Sequence, residues 1–97
     1  MENKDKLELY ERARLKWGTS NQMLIAVEEC SELQKEILKN IRGNNNLAEI
    51  AEEIADVEIT IEQIKEMWGL DNIVDSIKER KLNRLKERVE NNDYWKN

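Results

Sequence analysis

The chain has 97 residues, of which 39% are hydrophobic and 38% charged, with no proline, no phenylalanine and three glycines. So few turn-forming residues exclude an all-β sandwich or barrel, and so much charge leaves a small core that favours long amphipathic helices. The formal net charge of -5, from 21 acidic and 16 basic residues, argues against a general affinity for nucleic acid or anionic membranes.

Histidine is absent and cysteine occurs once, which limits the chemistry. Histidine-based catalytic triads, zinc fingers and the Glu-x-x-His ligands of di-iron bundles are excluded. Cys30 cannot form an internal disulfide, and we expect it to be a small buried hydrophobic residue. The N-terminus lacks the apolar segment of a signal peptide, and no apolar run approaches the roughly 20 residues that cross a bilayer. We therefore predict a cytoplasmic protein.

Four helices are predicted in a single domain over residues 1–97. Their periodic apolar residues place them at about 4–17, 19–41, 47–68 and 71–91. Glycines follow the first and third helices. The last six residues show no periodicity, so no element is assigned to them.

Side chains that favour helix N-termini begin three of these helices. Thr19 with Gln22, and Asn46 with Glu49, have the form of capping boxes, and Asp71 is a suitable N-cap. The apolar stripe of helix 2 consists of Met23, Val27, Cys30, Leu33, Ile37 and Ile41, and that of helix 3 of Leu47, Ile50, Ile54, Val57, Ile61, Ile64 and Trp68. A short loop between two long helices predicts an antiparallel hairpin at the core of an all-α, four-helix bundle.

Acidic residues are grouped on helices 2 and 3. The groups are Glu28, Glu29 and Glu32, and Glu52, Glu53 and Asp56. At about 100° per residue, Glu29 and Glu32 lie on one flank of their stripe, and Glu53 and Asp56 lie on the flank of the same hand. In an antiparallel pair such flanks fall on the same side, so we expect these four carboxylates to converge.

Four close carboxylates repel one another unless some are protonated or a hard cation binds them. Mg²⁺ is the expected ion, and Mn²⁺ could substitute because it also accepts oxygen ligands. Other pairs with the same spacing, such as Glu8 with Glu11 and Glu87 with Glu90, show that spacing is a weak signal. A metal site and ordinary solvated helix faces both remain open on these grounds.

The run Glu28-Glu29-Cys30-Ser31-Glu32, followed after 20 residues by Glu53-Ile54-Ala55-Asp56, resembles the E-E-x-x-E … E-x-x-D signature of the MazG-like all-α nucleoside triphosphate pyrophosphohydrolases. The resemblance spans residues 21–88. It implies a four-helix subunit in a homodimer or homotetramer, and Mg²⁺-dependent cleavage between the α- and β-phosphates of a nucleotide, giving a monophosphate and pyrophosphate.

The resemblance also implies roles for the acidic residues. Glu29, Glu32, Glu53 and Asp56 would be the metal ligands. Glu28 would orient water, and together with Glu29 it is a candidate for catalysis.

The cations of helix 4 would bind the phosphates. Lys81 and Arg84 resemble the family's lysine and arginine in a segment similar to K-F-x-R-R-F, although the text here is Lys81-Leu82-Asn83-Arg84-Leu85-Lys86. We predict Lys81 as a catalytic cation, with Lys78 and Arg84 as further substrate ligands. The alternative is a solvated basic face paired with neighbouring glutamates.

A nucleobase needs a flat apolar surface, for which Trp17, Trp68, Tyr94 and Trp95 are candidates. The first two lie on apolar stripes at helix ends, which favours core or interface packing. Three alternative functions remain: a dUTPase-like activity, a phosphoribosyl-ATP pyrophosphatase activity, or a non-catalytic helical interaction protein.

Overall fold

The computed structural model describes residues 1–91, which form four α-helices and, within that range, no strand. The helices are α1 (Asn3–Trp17), α2 (Thr19–Ile41), α3 (Leu47–Trp68) and α4 (Asp71–Glu90). The all-α prediction is confirmed, and each predicted boundary agrees to within one residue. The predicted base-stacking candidates Tyr94 and Trp95 lie outside the described residues.

The glycine that ends α3 is confirmed, whereas the predicted N-terminal caps are not. α3 ends at Gly69, which adopts a left-handed conformation with φ 62° and donates its N–H to the carbonyl of Lys65. The capping boxes are wrong, because neither α2 nor α3 has a side-chain hydrogen bond at its N-cap. Asp71 is also not an N-cap: Leu70 holds that position and α4 begins at Asp71.

The expected capping residues pair across the hairpin instead. Asn46 Nδ2 donates to the backbone carbonyl of Glu36 at 2.9 Å and to its Oε1 at 3.0 Å. Gln63 Nε2 donates to Gln22 Oε1 at 2.7 Å. These two pairs show that α2 and α3 run antiparallel, since an early residue of α2 meets a late residue of α3.

The face of α2 that packs on α3 is not its apolar stripe. Its buried residues are Gln22, Ala26 and Glu36, which directly precede the stripe residues Met23, Val27 and Ile37. One residue corresponds to a rotation of about 100°. Polar groups therefore share the contact with Ala26, and most of the stripe lies to one side of it, although Leu33 is half-buried.

Most large apolar side chains consequently remain exposed. The buried hydrophobic residues among those described are Tyr10, Ala26 and Val57, and no large side chain there is fully buried. Val27 is 63% exposed and Ile61 45% exposed. They line one apolar groove on the α2/α3 pair together with Met23, Leu24, Ala26, Cys30 and Ile64. The expectation that Cys30 is buried is wrong, because the stripe carrying it faces outward.

Polar contacts join α1 to α3. Arg14 donates from Nε and Nη2 to the two carboxylate oxygens of Glu66, each at 3.1 Å. Tyr10 donates its hydroxyl proton to Glu62, which also receives Lys6 Nζ at 3.5 Å. Burial, followed by this hydrogen bond, raises the pKa of Tyr10 to about 12. These contacts hold α1 against the C-terminal part of α3.

Helix α4 has only marginal contact with the other helices. The radius of gyration is 16.4 Å, against about 13 Å for a compact domain of roughly 100 residues. Within residues 1–91, no helix combines the length and apolar character that a membrane span requires.

Candidate metal centre and adjoining groove

Three of the predicted metal ligands meet where α2 and α3 pack. Glu29, Glu53 and Asp56 each direct a carboxylate oxygen into a common cluster, with these atoms all within 4.8 Å of one another. Glu29 reaches the cluster because the packing face of α2 precedes the apolar stripe by one residue. Glu53 and Asp56 are brought together by their spacing of about one helical turn.

The electrostatics of the cluster disfavour three simultaneous negative charges. Burial raises the pKa of Glu29, and the negative charges of Asp56 and Glu53 raise it further. Glu53 Oε2 is buried and has no hydrogen-bond partner within the described chain. A buried carboxylate oxygen without a partner is costly unless a proton or a cation compensates it.

The donor set fits a hard divalent cation. All three groups offer carboxylate oxygens, which suit Mg²⁺ or Mn²⁺ rather than a soft metal. The fit also rests on the partnerless Glu53 Oε2, which a cation would satisfy.

Glu32 and Glu28 lie outside this cluster. Glu32 is exposed and is not part of the group of converging carboxylates. The reason is angular: Glu32 lies about 60° around the helix from Glu29, away from the face that meets α3. Glu28 is also exposed, one position before Glu29.

A groove of about 530 Å³ adjoins the carboxylates. It lies between α2 and α3 and reaches the end of α1, so its lining combines carboxylates, amides and apolar side chains. The lining residues are Trp17, Asn21, Gln22, Ile25, Glu29, Asp56, Ile59, Thr60 and Gln63. The cluster is therefore next to a space large enough for a small molecule.

Sequence reasoning missed the amide lining of this groove. Gln22 was interpreted as a cap and Gln63 received no role, but the antiparallel packing pairs them. Trp17 was expected to pack in a core or interface; within this chain it is 55% exposed and lines the groove. The signal that could have found Gln22 and Gln63 is that both are polar residues at helical positions that belong to a packing face. Such residues are typical of a contact that pairs specific polar groups.

The predicted phosphate-binding cations are all on α4. Lys78, Lys81 and Arg84 are exposed. Because α4 has only marginal contact with the other described helices, it does not pack against the cluster of Glu29, Glu53 and Asp56 in the same chain. The second tryptophan candidate, Trp68, is 57% exposed and is not part of the groove lining.

Comparison of the chain with known protein families, curated proteins and solved structures finds no match. The resemblance to the MazG-like enzymes therefore depends on short sequence motifs alone, namely the acidic motifs and the partly matching segment of α4.

Proposed function

We propose that this protein is a Mg²⁺-dependent nucleoside triphosphate pyrophosphohydrolase of the MazG-like type, cleaving (d)NTP to (d)NMP and pyrophosphate. The observation that carries the proposal is the meeting of Glu29, Glu53 and Asp56 within 4.8 Å. Those residues are three of the four metal ligands that the motif resemblance implies. The groove beside them gives a nucleotide a place to bind.

In this proposal Glu29, Glu53 and Asp56 hold Mg²⁺, or Mn²⁺ in its place. The ion would supply Lewis-acid neutralisation of phosphate oxygens. Glu32 would complete the ligand set after a change of side-chain rotamer, since it lies one turn from Glu29 on an exposed surface. Glu28, on the same surface, would orient the attacking water.

The cations of α4 complete the proposed site. Phosphoryl transfer develops negative charge on the phosphate oxygens, and lysine or arginine stabilises that charge. Lys81 is the first candidate, with Lys78 and Arg84 beside it. Because α4 packs only marginally on its own chain, its cations would bind phosphates held at the carboxylate cluster of a second subunit.

We further propose that the protein is a homodimer or homotetramer. The apolar groove containing Val27 and Ile61 is too exposed for a stable isolated subunit, whereas a second copy would bury it. A dUTPase-like or phosphoribosyl-ATP pyrophosphatase activity uses the same helical plan and remains the alternative within enzymes. A helical interaction protein without turnover is the alternative outside them.

The direct test is an assay of pyrophosphate and orthophosphate release from a panel of canonical and damaged nucleotides, with and without Mg²⁺. We expect Mg²⁺-dependent pyrophosphate release from at least one nucleotide. Glu53→Gln should reduce it at least about tenfold, the lower end of what loss of a group that supports a metal ligand costs. The matched control Glu58→Gln, an exposed glutamate outside the cluster on the same helix, should retain activity.

Orthophosphate as the primary product would contradict the proposal, because attack would then be at the terminal phosphate. A protein that shows neither metal-linked stabilisation nor turnover would instead be the non-catalytic helical protein.

A further inference from the structure

The groove beside the carboxylates contains the buried side-chain amide of Gln22, of which only the oxygen forms a hydrogen bond. Gln22 is 4% exposed, and its Oε1 accepts the hydrogen bond from Gln63 Nε2. Its own Nε2 can donate two hydrogen bonds but has no acceptor within the described chain. This nitrogen retains some contact with solvent. Because Gln22 lines the groove, this donor is available there. A nearly buried donor without an acceptor is costly unless a ligand or water satisfies it.

The residue before Gln22 also lines the groove and supplies an acceptor. Asn21 Nδ2 donates to the backbone carbonyl of Trp17 at 2.7 Å, which leaves Asn21 Oδ1 as an acceptor in the lining. The groove thus offers a donor from Gln22 and an acceptor from Asn21. The exposed ring of Trp17 provides a flat apolar surface at the same end.

The position of these groups along α2 separates them from the carboxylates. Gln22 is seven residues before Glu29, about 10 Å at 1.5 Å per residue. That separation is comparable to the length of a nucleoside. Phosphates at the carboxylate end would therefore place a base at the amide end.

We propose that this groove selects bases with an imide edge, in which a ring carbonyl adjoins a ring N–H, as in uracil, thymine, guanine and hypoxanthine. The carbonyl would accept from Gln22 Nε2, the N–H would donate to Asn21 Oδ1, and the ring would stack on Trp17. Cytosine and adenine present an amino group beside an unprotonated ring nitrogen, which is the opposite pattern. The placement of phosphates rests on the proposed function, but recognition of the base does not require a metal or turnover.

The test measures binding of uridine and cytidine to the full chain in EDTA by saturation-transfer NMR, so that neither metal nor hydrolysis enters. We expect uridine to bind at least about tenfold more tightly, since one pair of matched hydrogen bonds discriminates bases by about that factor or more.

The variant Gln63→Glu should abolish this preference. A carboxylate at position 63 can only accept, so Gln22 must turn its amide to donate to it and then presents Oε1 to the groove. Uracil then keeps its N–H contact with Asn21 but loses its carbonyl contact, whereas cytosine gains an amino contact but places its ring nitrogen against Asn21 Oδ1, so each base makes one matched hydrogen bond. The control Asn45→Asp makes the same change from amide to carboxylate at an exposed position outside both grooves and should leave the preference for uridine unchanged.

Equal binding of the two nucleosides, binding of neither, or an unchanged preference in Gln63→Glu would overturn the proposal. Failure here is distinguishable from failure of the proposed function. Hydrolysis without preference for imide bases would support the proposed enzyme activity and contradict the selective groove. Selective uridine binding without pyrophosphate release would support the groove and contradict the enzyme activity.

Discussion

The carboxylate of Glu29 lies in the contact between two helices with Asp56 and Glu53 close to it. Burial and these neighbouring charges raise its pKa, so the folded state holds a proton there more tightly than the unfolded chain does. Stability without metal should consequently fall as the pH rises from the ordinary glutamate pKa through the raised value. Above the raised pKa, the loss of stability caused by ionising Glu29 no longer changes with pH.

Asp56→Asn tests this balance because it removes one charge from the cluster. In EDTA at neutral pH we expect the melting temperature to rise by about 4 °C, because repulsion is relieved and Glu29 ionises at less cost. With millimolar Mg²⁺ the variant should instead melt at a lower temperature than the original protein, since bound metal stabilises the folded state and the variant lacks a ligand. Thermal melting with and without Mg²⁺ measures both effects.

The control for Asp56→Asn is Glu87→Gln, which removes a charge from an exposed position on α4. It should neither stabilise the metal-free protein nor reduce the Mg²⁺-induced rise. Matching behaviour of the two variants under both conditions would show that the carboxylates do not act as one site.

The hydroxyl of Tyr10 supports a second residue-scale prediction. The hydrogen bond that it donates to Glu62 is the largest cause that lowers the pKa of that carboxyl. A lowered pKa stabilises the fold above the ordinary glutamate value, and this contribution is lost as the pH falls through the folded value. Tyr10→Phe should cost about 1 kcal/mol at pH 7 and less at pH 3. Urea unfolding at both pH values provides the measurement, and a cost independent of pH would contradict it.

At the scale of the helices, the α2/α3 contact buries polar residues beside the apolar Ala26 and Val57, where a hairpin core is usually apolar throughout. Amides, carboxylates and a hydroxyl occupy it, and Thr60 satisfies its hydroxyl by donating to the carbonyl of Val57 at 2.9 Å. A buried polar contact adds little stability but fixes one register, because any slip leaves groups unpaired. That register places Glu29 opposite Asp56 and Gln22 opposite Gln63.

Helix α4 carries the prediction for phosphate binding. If Lys81 contacts the phosphates as they react, Lys81→Ala should cost on the order of 2 to 4 kcal/mol of transition-state stabilisation, a fall in kcat/KM of about 30- to 1000-fold. Steady-state pyrophosphate release measures it, with Lys86→Ala on the same helix as the control. Unchanged activity in Lys81→Ala would move the phosphate site to Arg84 or Lys78.

At the scale of the whole molecule, one chain exposes most of its large apolar side chains and is more extended than a compact domain of its length. Hydrophobic burial is the main favourable contribution to folding, and a small domain has little to spare. The exposed face of α2 and α3 therefore supports assembly with further copies.

Val27→Lys tests that assembly. Val27 is 63% exposed in one chain and lies in the apolar groove, so a buried lysine in an interface should dissociate the oligomer. Analytical ultracentrifugation at low micromolar concentration should show a dimer or tetramer for the original chain and a smaller or unfolded species for Val27→Lys. The control Ile25→Lys introduces the same charge on the other side of α2 and should leave the oligomeric state unchanged. A compact monomer of the original chain would contradict the prediction.

The sequence by itself determined the helices and their boundaries. Helix length and termination depend on local properties, namely the apolar period, the glycines after Trp17 and Trp68, and the absence of proline. It also identified Glu29, Glu53 and Asp56 as candidate ligands, because spacing along a helix fixes which carboxylates share a side.

Only the tertiary structure decided which face of each helix is used. The apolar stripe predicts the face that must be buried somewhere, but it does not say whether the same chain or a second copy buries it. Here α2 turns its polar face to α3, because Gln22 and Glu36 find partners there and the stripe remains exposed. That rotation of about 100° brought Glu29 into the cluster, left Glu32 outside it, exposed Cys30 and formed the amide-lined groove. Such pairing joins residues distant in sequence, and the pattern of a single helix does not contain it.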